Sequence, residues 1–255
     1  MAKKLTLSAI SDIPMIEPGD DVAAIIVTRL RSDGIIPNDG DVIVIAQKIV
    51  SKAEGRYVNL ADIAPGPKAL ELAKATGKDP RHVEVVLSES TAVLRYRTNV
   101  LIVAHRLGFV MANAGIDESN IDHSRGDPLV LLLPSDPDGS CAKIKQTIDA
   151  EFKVSIGVII NDSFGRPWRN GVVGVALGCA GVPSIESLVG RPDLYGRRLQ
   201  ITEVAVADEL AAAASLMMGQ ASEGMPVVHI RGFDRPAENK PARALVRPKE
   251  LDMFR

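Results

Sequence analysis

Apolar residues along this chain fall into short runs that polar and glycine-rich segments separate. The runs at residues 42–46 and 154–160 are rich in β-branched side chains and have the length of buried strands. Residues 22–30 carry apolar positions at helical spacing, after two aspartates and before Gly34, which predicts an acid-capped helix. The same reasoning predicts helices at 67–75, 80–87, 137–151 and 203–218, and strands at 92–96, 100–105, 109–112 and 226–230. Alternation of the two element types predicts a mixed α/β core.

The pattern gives no clean boundary between domains. The 255 residues suffice for one large domain or two modest ones, and no repeat, low-complexity tract or long linker interrupts them. We therefore expect residues 1–255 to form a single catalytic unit, within which any two lobes would interleave.

Charge and composition narrow the classes of function. With 30 basic and 32 acidic residues the net charge is −2, which lacks the basic excess that binding to a nucleic-acid backbone requires. The apolar runs are far shorter than the roughly 20 residues of a membrane-spanning helix, and the first residues lack the apolar region of a signal peptide. Two cysteines make neither a disulfide framework nor a four-ligand zinc site. We expect a cytoplasmic protein that binds neither nucleic acid nor membrane.

The densest group of reactive residues follows the run at 154–160. Residues 161–171 contain a carboxylate, a hydroxyl, two arginines, two glycines and the chain's single tryptophan. Sites are often built in this way, with reactive groups on a loop at the tip of a rigid strand. The ordinary alternative is a turn of glycine and proline whose charges are solvated. The candidates in this predicted loop are Asp162, Ser163, Arg166 and Arg169, with Trp168 expected to pack and fix the loop.

A second polar loop, residues 113–120, follows the predicted strand at 109–112. Asp117 in this loop and Asp162 in the first could present two carboxylates to one cavity. Such a pair binds Mg²⁺ or Mn²⁺ and leaves positions for phosphate oxygens. The alternative for Asp117 is the N-cap of a helix that begins at Glu118.

Two further segments carry candidate binding residues. Residues 47–56 follow a predicted strand and present lysines and an arginine that could contact phosphates, although no P-loop motif is present. The alternative there is a solvated basic edge. Residues 217–225 end the alanine-rich helix, and the alternative for them is a glycine C-cap beside core methionines. His105, at the end of a predicted strand, is more typical of a structural histidine than of a catalyst.

Taken together, these segments resemble the coenzyme F420-0:L-glutamate ligase family, also called the F420-0 γ-glutamyl ligases. The resemblance rests on long motifs that occur in order at residues 13–21, 50–56, 108–120, 161–169 and 218–224. It implies a two-lobed α/β fold particular to that family, neither a P-loop fold nor a Rossmann fold, and a homodimer.

The resemblance also implies the reaction. A GTP-dependent ligase would join L-glutamate in an amide to the lactyl carboxylate of F420-0, and many members add further γ-linked glutamates. Because a carboxylate does not condense with an amine in water, such enzymes first transfer the γ-phosphoryl group to it and form an acyl phosphate. Cations serve that step rather than a protein nucleophile. A metal-dependent phosphohydrolase and a catalytically silent nucleotide-binding module are the alternatives from other classes.

The resemblance implies two divalent cations, Mg²⁺ or Mn²⁺, with K⁺ as a further candidate. One divalent ion would be bound by Asp117 and Asp162. The second would be bound by Ser163 and Gln220, a neutral amide that is a weaker ligand than a carboxylate.

Nucleotide contacts are implied for several segments. Gln47 and Lys48 stand where relatives can carry small hydroxyl residues, so they depart from the family pattern. As a hypothesis, Arg166 and Arg169 would hold the phosphodiester of the substrate or the transferring phosphate. The implied nucleotide contacts are Ile13, Pro14, Met15, Ile16, Gln47, Lys48, Lys52, Asn120, Met218, Gly219, Gln220, Ala221, Ser222, Glu223, Gly224 and Met225.

Overall fold

The computed structural model describes residues 3–122, 126–234 and 238–253. Within these ranges the chain forms twelve β-strands and six α-helices, besides short 3-10 helices. The strands are β1 (Thr6–Ala9), β2 (Val42–Ala46), β3 (Tyr57–Asn59), β4 (Ser90–Arg97), β5 (Val100–His105), β6 (Val110–Ala112), β7 (Leu129–Leu131), β8 (Gly157–Arg166), β9 (Arg169–Ala180), β10 (Glu186–Ser187), β11 (Glu203–Val204) and β12 (Val227–Arg231). The helices are α1 (Val22–Ser32), α2 (Gln47–Ala53), α3 (Pro67–Thr76), α4 (Pro80–Ser88), α5 (Pro137–Phe152) and α6 (Val206–Met218).

A five-stranded sheet of order β1-β12-β2-β8-β9 forms the centre of the larger part of the molecule. Strands β2 and β8 are parallel, and the other neighbours in this sheet are antiparallel. Helices α1 and α5 pack on one face and α6 packs on the other. Ile43 and Ile45 point to the first face and Val44 to the second, so β2 is buried on both sides. Burial on both faces explains why its sequence is continuously apolar.

A smaller part of the chain forms a three-stranded antiparallel sheet of order β4-β5-β6. Helices α3 and α4 pack on it around an apolar cluster that includes Val83 and Leu101. Glu89, at the end of α4, binds Arg56 at 3.2 Å and Arg106 at 3.0 Å. Burial raises the pKa of Glu89, but His105 and the two arginines outweigh that effect and hold it at about 2. This ion cluster joins α4 and β5 to the chain that follows α2.

The predicted elements agree with most of this architecture, and the prediction of a mixed α/β fold is confirmed. One prediction is wrong in the segment that carries several candidate site residues. Residues 161–166 are not a loop, because β8 continues through Arg166 and a tight turn at Pro167 and Trp168 leads into β9. Trp168 is 89% exposed, so the expectation that it packs is wrong as well. Helix α2, immediately after β2, was not predicted.

A buried carboxylate anchors the opposite end of the central sheet from the reactive segments. Asp41, just before β2, is 3% exposed and accepts hydrogen bonds from Arg231 at 2.7 Å and His229 at 2.7 Å. Burial raises its pKa, but the Arg231 hydrogen bond, the Asn38 N–H and His229 together lower it below the usual range. The network ties the start of β2 to β12.

Replacing this carboxylate destabilises the fold in a pH-dependent way. Because the pKa of Asp41 is lower in the folded protein, its contribution to stability is present above about pH 4 and is lost as the pH falls further. We expect Asp41→Asn to cost about 3 kcal/mol at pH 7, near the low end for a broken buried pair because Arg231 stays partly exposed. Urea unfolding at pH 7 and pH 3 measures this, and the exposed Asp62→Asn is the control. Equal losses at both pH values would contradict it.

Candidate functional site

The candidate site forms where the parallel strands β2 and β8 end. Ala46 lies opposite Asn161 in the register, so Gln47 and Asp162 both follow directly at the carboxyl edge of the pair. Ligands of α/β sheets commonly bind at this edge. Helix α2 begins at Gln47 and turns its first residues toward the same region.

Asp117 reaches this edge from the smaller part of the chain. Three residues with positive φ precede it, Asn113 at 49°, Ala114 at 55° and Gly115 at 64°. A Cβ on Gly115 would displace the end of the Met111 side chain, and the positive φ also favours glycine there. The Asp117 backbone then exchanges two hydrogen bonds of 2.9 Å with Leu131. The alternative that Asp117 caps a helix is therefore wrong, since its backbone is bridged to Leu131.

Two side chains of α2 contact the Asp117 carboxylate. Gln47 Nε2 donates to Oδ2 at 2.6 Å, and Lys48 Nζ lies 3.2 Å from Oδ1. Lys48 also donates to Ser119 at 2.9 Å. Burial raises the pKa of Asp117, and Lys48 and Gln47 offset only part of that increase. The basic segment after β2 is thus turned inward at its start and is not simply a solvated edge.

Asp162 is close enough to Asp117 for the two charges to interact. Burial raises the pKa of Asp162 to about 7, and the charge of Asp117 adds to the increase. Lys48 supplies one positive charge to two carboxylates. Two carboxylates whose negative charge is not fully neutralised suit the binding of Mg²⁺ or Mn²⁺. Within the described residues no three acidic, histidine or cysteine side chains cluster as a metal site, so further ligands would have to be neutral oxygens or groups of a bound molecule.

Ser163 lies on the other side of β8. It pairs with Gly174, where a Cβ would overlap the backbone of Ala211 in α6, so this face of the hairpin is the one that α6 covers. Phe164 follows on the Asp162 side and packs edge-on against Phe109, with ring centroids 6.0 Å apart. The structure therefore directs Asp162 and Ser163 to opposite faces, as expected for neighbours in a strand.

The segments expected to bind nucleotide converge on the same edge. Pro226 accepts a hydrogen bond from Ala46 at 2.8 Å, which places residues 218–225 beside the start of α2. Asn120 Nδ2 donates to the Ala221 carbonyl at 3.3 Å and joins the Asp117 loop to that segment. The structure shows no hydrogen bond between Ser163 and Gln220 within its described ranges.

Helix α6 ends at Gly219, whose φ of 74° and ψ of −174° belong to glycine alone. Glu223 accepts from the Ala221 N–H at 2.8 Å, and such backbone bonds lower its pKa. Met218 is 8% exposed and joins the core. Gly219 and Met218 thus have the ordinary roles of C-cap and core residue, while Gln220, Ala221, Ser222, Glu223 and Gly224 remain exposed at the edge.

The segment 13–16 lies along the other side of α2. Ile16 is buried in the core, whereas Met15 is 84% exposed. Burial and the charge of Lys48 lower the pKa of Lys52, and Glu17 and Asp122 partly offset this. Lys52 is therefore within electrostatic range of Glu17, which follows the segment 13–16, and of Asp122, which follows the Asp117 loop.

The two arginines of the β8–β9 hairpin differ in their surroundings. Arg166 has a buried Nη1 atom with no hydrogen-bond partner within the described ranges. Arg169, directly across the turn, is exposed. An unpartnered buried guanidinium nitrogen is costly, which makes Arg166 the stronger candidate of the two for a ligand.

Sequence reasoning also gave weight to residues that the fold uses differently, and it missed one. Arg56 and His105 belong to the Glu89 cluster, and His105 Nδ1 accepts from the Leu107 N–H at 3.0 Å, so a structural role for His105 is confirmed. Ser51 was missed, although its hydroxyl contacts Gln47 at 2.8 Å. The four-residue spacing of this pair would have revealed the contact had α2 been predicted.

This geometry coincides with the motifs of one family of enzymes. Residues 11–232 match the sequence model of the F420-0:gamma-glutamyl ligase family. The chain belongs to this family of ligases. The resemblance and the ligase class predicted from the motifs are confirmed.

Several relatives are similar over nearly their full lengths. The coenzyme F420:L-glutamate ligase of Methanothermobacter thermautotrophicus is 49% identical over 253 residues, which cover 98% of this chain and 99% of the relative. The protein of the same name from Methanocaldococcus jannaschii is 47% identical over 217 residues, 85% of each chain. That from Archaeoglobus fulgidus is 41% identical over 246 residues, 96% of this chain and 94% of the relative. In the described part of this ligase-family chain, no helix has the length and apolarity to cross a membrane.

The raised pKa of Asp162 predicts how the metal-free protein responds to pH. Because the folded protein binds this proton more tightly than the unfolded chain, stability falls as the pH rises from about 4 to about 7 and is level above that. We expect Asp162→Asn to remove roughly 2 to 4 kcal/mol of this fall. Urea unfolding in the presence of a chelator measures it, with Asp62→Asn as the control. A variant with the same fall as the wild type would contradict the prediction.

Proposed function

We propose that this protein forms an amide between L-glutamate and the carboxylate of coenzyme F420-0, with GTP as the energy source. The names of its relatives supply the substrate class. The observation that carries the proposal is the pairing of Asp117 with Asp162 at the carboxyl edge of β2 and β8, with Lys48 beside them. This arrangement suits a reaction that develops negative charge on phosphoryl oxygens.

The proposed reaction has two steps. In the first, an oxygen of the F420-0 carboxylate attacks the γ-phosphorus of GTP, the bond to the β-phosphate oxygen breaks, and GDP leaves. In the second, the amine of glutamate attacks the acyl carbon, inorganic phosphate leaves, and the nitrogen loses a proton. Neither step requires a nucleophile from the protein, and the two buried thiols, Cys141 and Cys179, are not in the site. Repetition on the new γ-carboxylate would add further glutamates.

The donor set fits divalent cations of the Mg²⁺ or Mn²⁺ type. Asp117 and Asp162 would hold one, and Ser163 and Gln220, both bearing neutral oxygens, would hold a second. When bound, such ions neutralise phosphoryl charge and orient the phosphates. A K⁺ ion would add to this charge balance. Lys48, now paired with Asp117, would be released toward the phosphates when a cation takes its place.

The remaining basic residues support the placement of the anionic substrates. Lys52 is within electrostatic range of Glu17 and Asp122, beside the segments expected to bind nucleotide, and its charge suits a nucleotide phosphate. Arg166, with an unpartnered Nη1, suits the substrate phosphodiester or the transferring phosphate. The cytoplasmic location of the protein stays a prediction.

Incubation with F420-0, L-glutamate, GTP and Mn²⁺, followed by mass spectrometry, tests this function. We expect a gain of one or more glutamate masses with release of GDP. Phosphate release that needs neither glutamate nor F420-0 would instead favour the phosphohydrolase. GTP binding without any turnover would favour the silent module.

The same assay tests Arg166. We expect Arg166→Ala to lower the rate by roughly two to three orders of magnitude, the loss typical of a donor to transition-state charge. Arg169→Ala should lose less because Arg169 is exposed, and the surface variant Arg31→Ala should lose nothing. Wild-type kinetics for Arg166→Ala would remove it from the site.

We further propose that the protein is a homodimer held together through an extended hairpin. Residues 186–204 form a two-stranded arm with backbone bonds of 2.9 Å from Leu188 to Thr202 and from Leu199 to Arg191. At its tip Leu194 is 99% exposed and Tyr195 is 96% exposed. Large apolar side chains grouped on a surface mark interaction sites.

Charged residues at this tip should separate the subunits. We expect Leu194→Asp combined with Tyr195→Asp to weaken the dimer about 100-fold or more, since both side chains would lose a buried apolar contact. Sedimentation equilibrium over a range of protein concentrations measures the change. The variant Ile36→Asp, at another exposed apolar residue, is the control. A monomeric wild type, or a variant that dimerises as before, would contradict the proposal.

A further inference from the structure

Gln47 and Ser51 form a short buried chain of hydrogen bonds that ends on Asp117. The two residues lie one turn apart on α2, on the same face of the helix. Ser51 is 0% exposed and Gln47 is 2% exposed. Ser51 Oγ donates to Gln47 Oε1 at 2.8 Å, and Gln47 Nε2 donates to Asp117 Oδ2 at 2.6 Å. The chain leaves one carboxylate oxygen of Asp117 outside its reach.

The Gln47 amide is held at both ends, by the Asp117 carboxylate and by the Ser51 hydroxyl. An amide offers an acceptor oxygen at one end and a donor nitrogen at the other. Because an ionised carboxylate only accepts hydrogen bonds, Asp117 takes the nitrogen of the amide, and the serine hydroxyl then donates to the oxygen and anchors that end. Both ends of the side chain are engaged in a buried environment, and turning it toward another ligand would break two hydrogen bonds.

Lys48 contacts the second oxygen of Asp117, but its side chain is more exposed and more flexible than that of Gln47. Its side chain is 25% exposed and its ammonium group lies 3.2 Å from Oδ1. A lysine carries a point charge on a flexible stem of four carbons. Lys48 can therefore leave Asp117 when another cation arrives, whereas Gln47 cannot.

The position of Asp117 beside Asp162 creates the need for a fixed donor. The two like charges repel, which favours rotation of one carboxylate away from the other. A neutral donor restrains one oxygen without cancelling the charge. Hydrogen bonds of this kind to metal-binding carboxylates commonly set both their orientation and their affinity for the ion.

We propose that Gln47, anchored by Ser51, is a positioning residue that holds the Asp117 carboxylate with Oδ1 turned toward a divalent cation. The inference rests on the assignment of Asp117 as a metal ligand under the proposed function. It adds Ser51, which touches neither metal nor substrate, to the residues on which metal binding depends.

Titration of the nucleotide-free protein with Mn²⁺, followed by electron paramagnetic resonance of the free ion, tests the inference. We expect Ser51→Ala and Gln47→Met each to weaken Mn²⁺ binding about 10- to 100-fold. Because Ser51 acts through Gln47, the double variant should bind Mn²⁺ no more weakly than Gln47→Met alone.

Matched variants separate positioning from general loss of structure. Ser51→Thr keeps the hydroxyl and should retain most of the affinity. Ser88→Ala removes an exposed serine hydroxyl that donates to the Val85 carbonyl of its own helix and should change nothing. Thermal unfolding with a chelator present should show that Ser51→Ala remains folded at the titration temperature.

Unchanged affinity in Ser51→Ala and Gln47→Met, or fully additive losses in the double variant, would overturn the positioning role. The variant Asp117→Asn distinguishes this failure from failure of the metal assignment itself. If Asp117→Asn abolishes Mn²⁺ binding and the other variants do not weaken it, only the positioning inference falls. If Asp117→Asn binds Mn²⁺ as tightly as the wild type, or if the wild type does not bind Mn²⁺, both the metal assignment and the positioning inference fall.

Discussion

The parallel pairing of β2 with β8 is the constraint on which the candidate site depends. Both strands are buried on two faces, so their apolar runs fit only in the middle of a covered sheet. That pairing sets Ala46 opposite Asn161 and therefore brings Gln47 and Asp162 together from distant parts of the sequence. The backbone bridge between Asp117 and Leu131 then brings the Asp117 carboxylate to Gln47 and Asp162. The proximity of these candidate residues is therefore a consequence of strand register and not of local sequence.

The closeness of Asp117 and Asp162 lowers the stability of the metal-free fold. Asp162 has a pKa of about 7 because it is buried beside Asp117, so its ionised form is disfavoured in the metal-free fold. Lys48 and Gln47 offset part of this effect at Asp117. At the other end of β2, Asp41 is a buried carboxylate with enough hydrogen-bond donors to lower its pKa. The contrast shows that the carboxylate at one end of β2 has enough donors to stay ionised, whereas the pair at the candidate site does not.

The elements with buried residues were predicted from the sequence, whereas those with polar residues at the candidate site were not. Helices α1, α3 and α5 and strand β2 were predicted because apolar periodicity reports packing. The end of β8 was predicted as a loop because its polar residues match no buried strand, yet the antiparallel partner β9 keeps them extended. The seven-residue helix α2 was missed, since its lysines suggested a solvated edge. The role of Asp117 could not be decided locally because its bridge to Leu131 is a long-range contact.

Asp162 and Ser163 are adjacent in a strand, so their side chains must point to opposite faces of β8. A site that uses both therefore has to reach around the strand. In the middle of a sheet this is impossible, because neighbouring strands close both edges. Strand β2, however, pairs with β8 only as far as Asn161, and within the described residues β9 alone continues beside residues 162–166. This edge of β8 therefore has no strand partner from Asp162 onward, which under the proposed function would let a single phosphate chain meet groups on both faces.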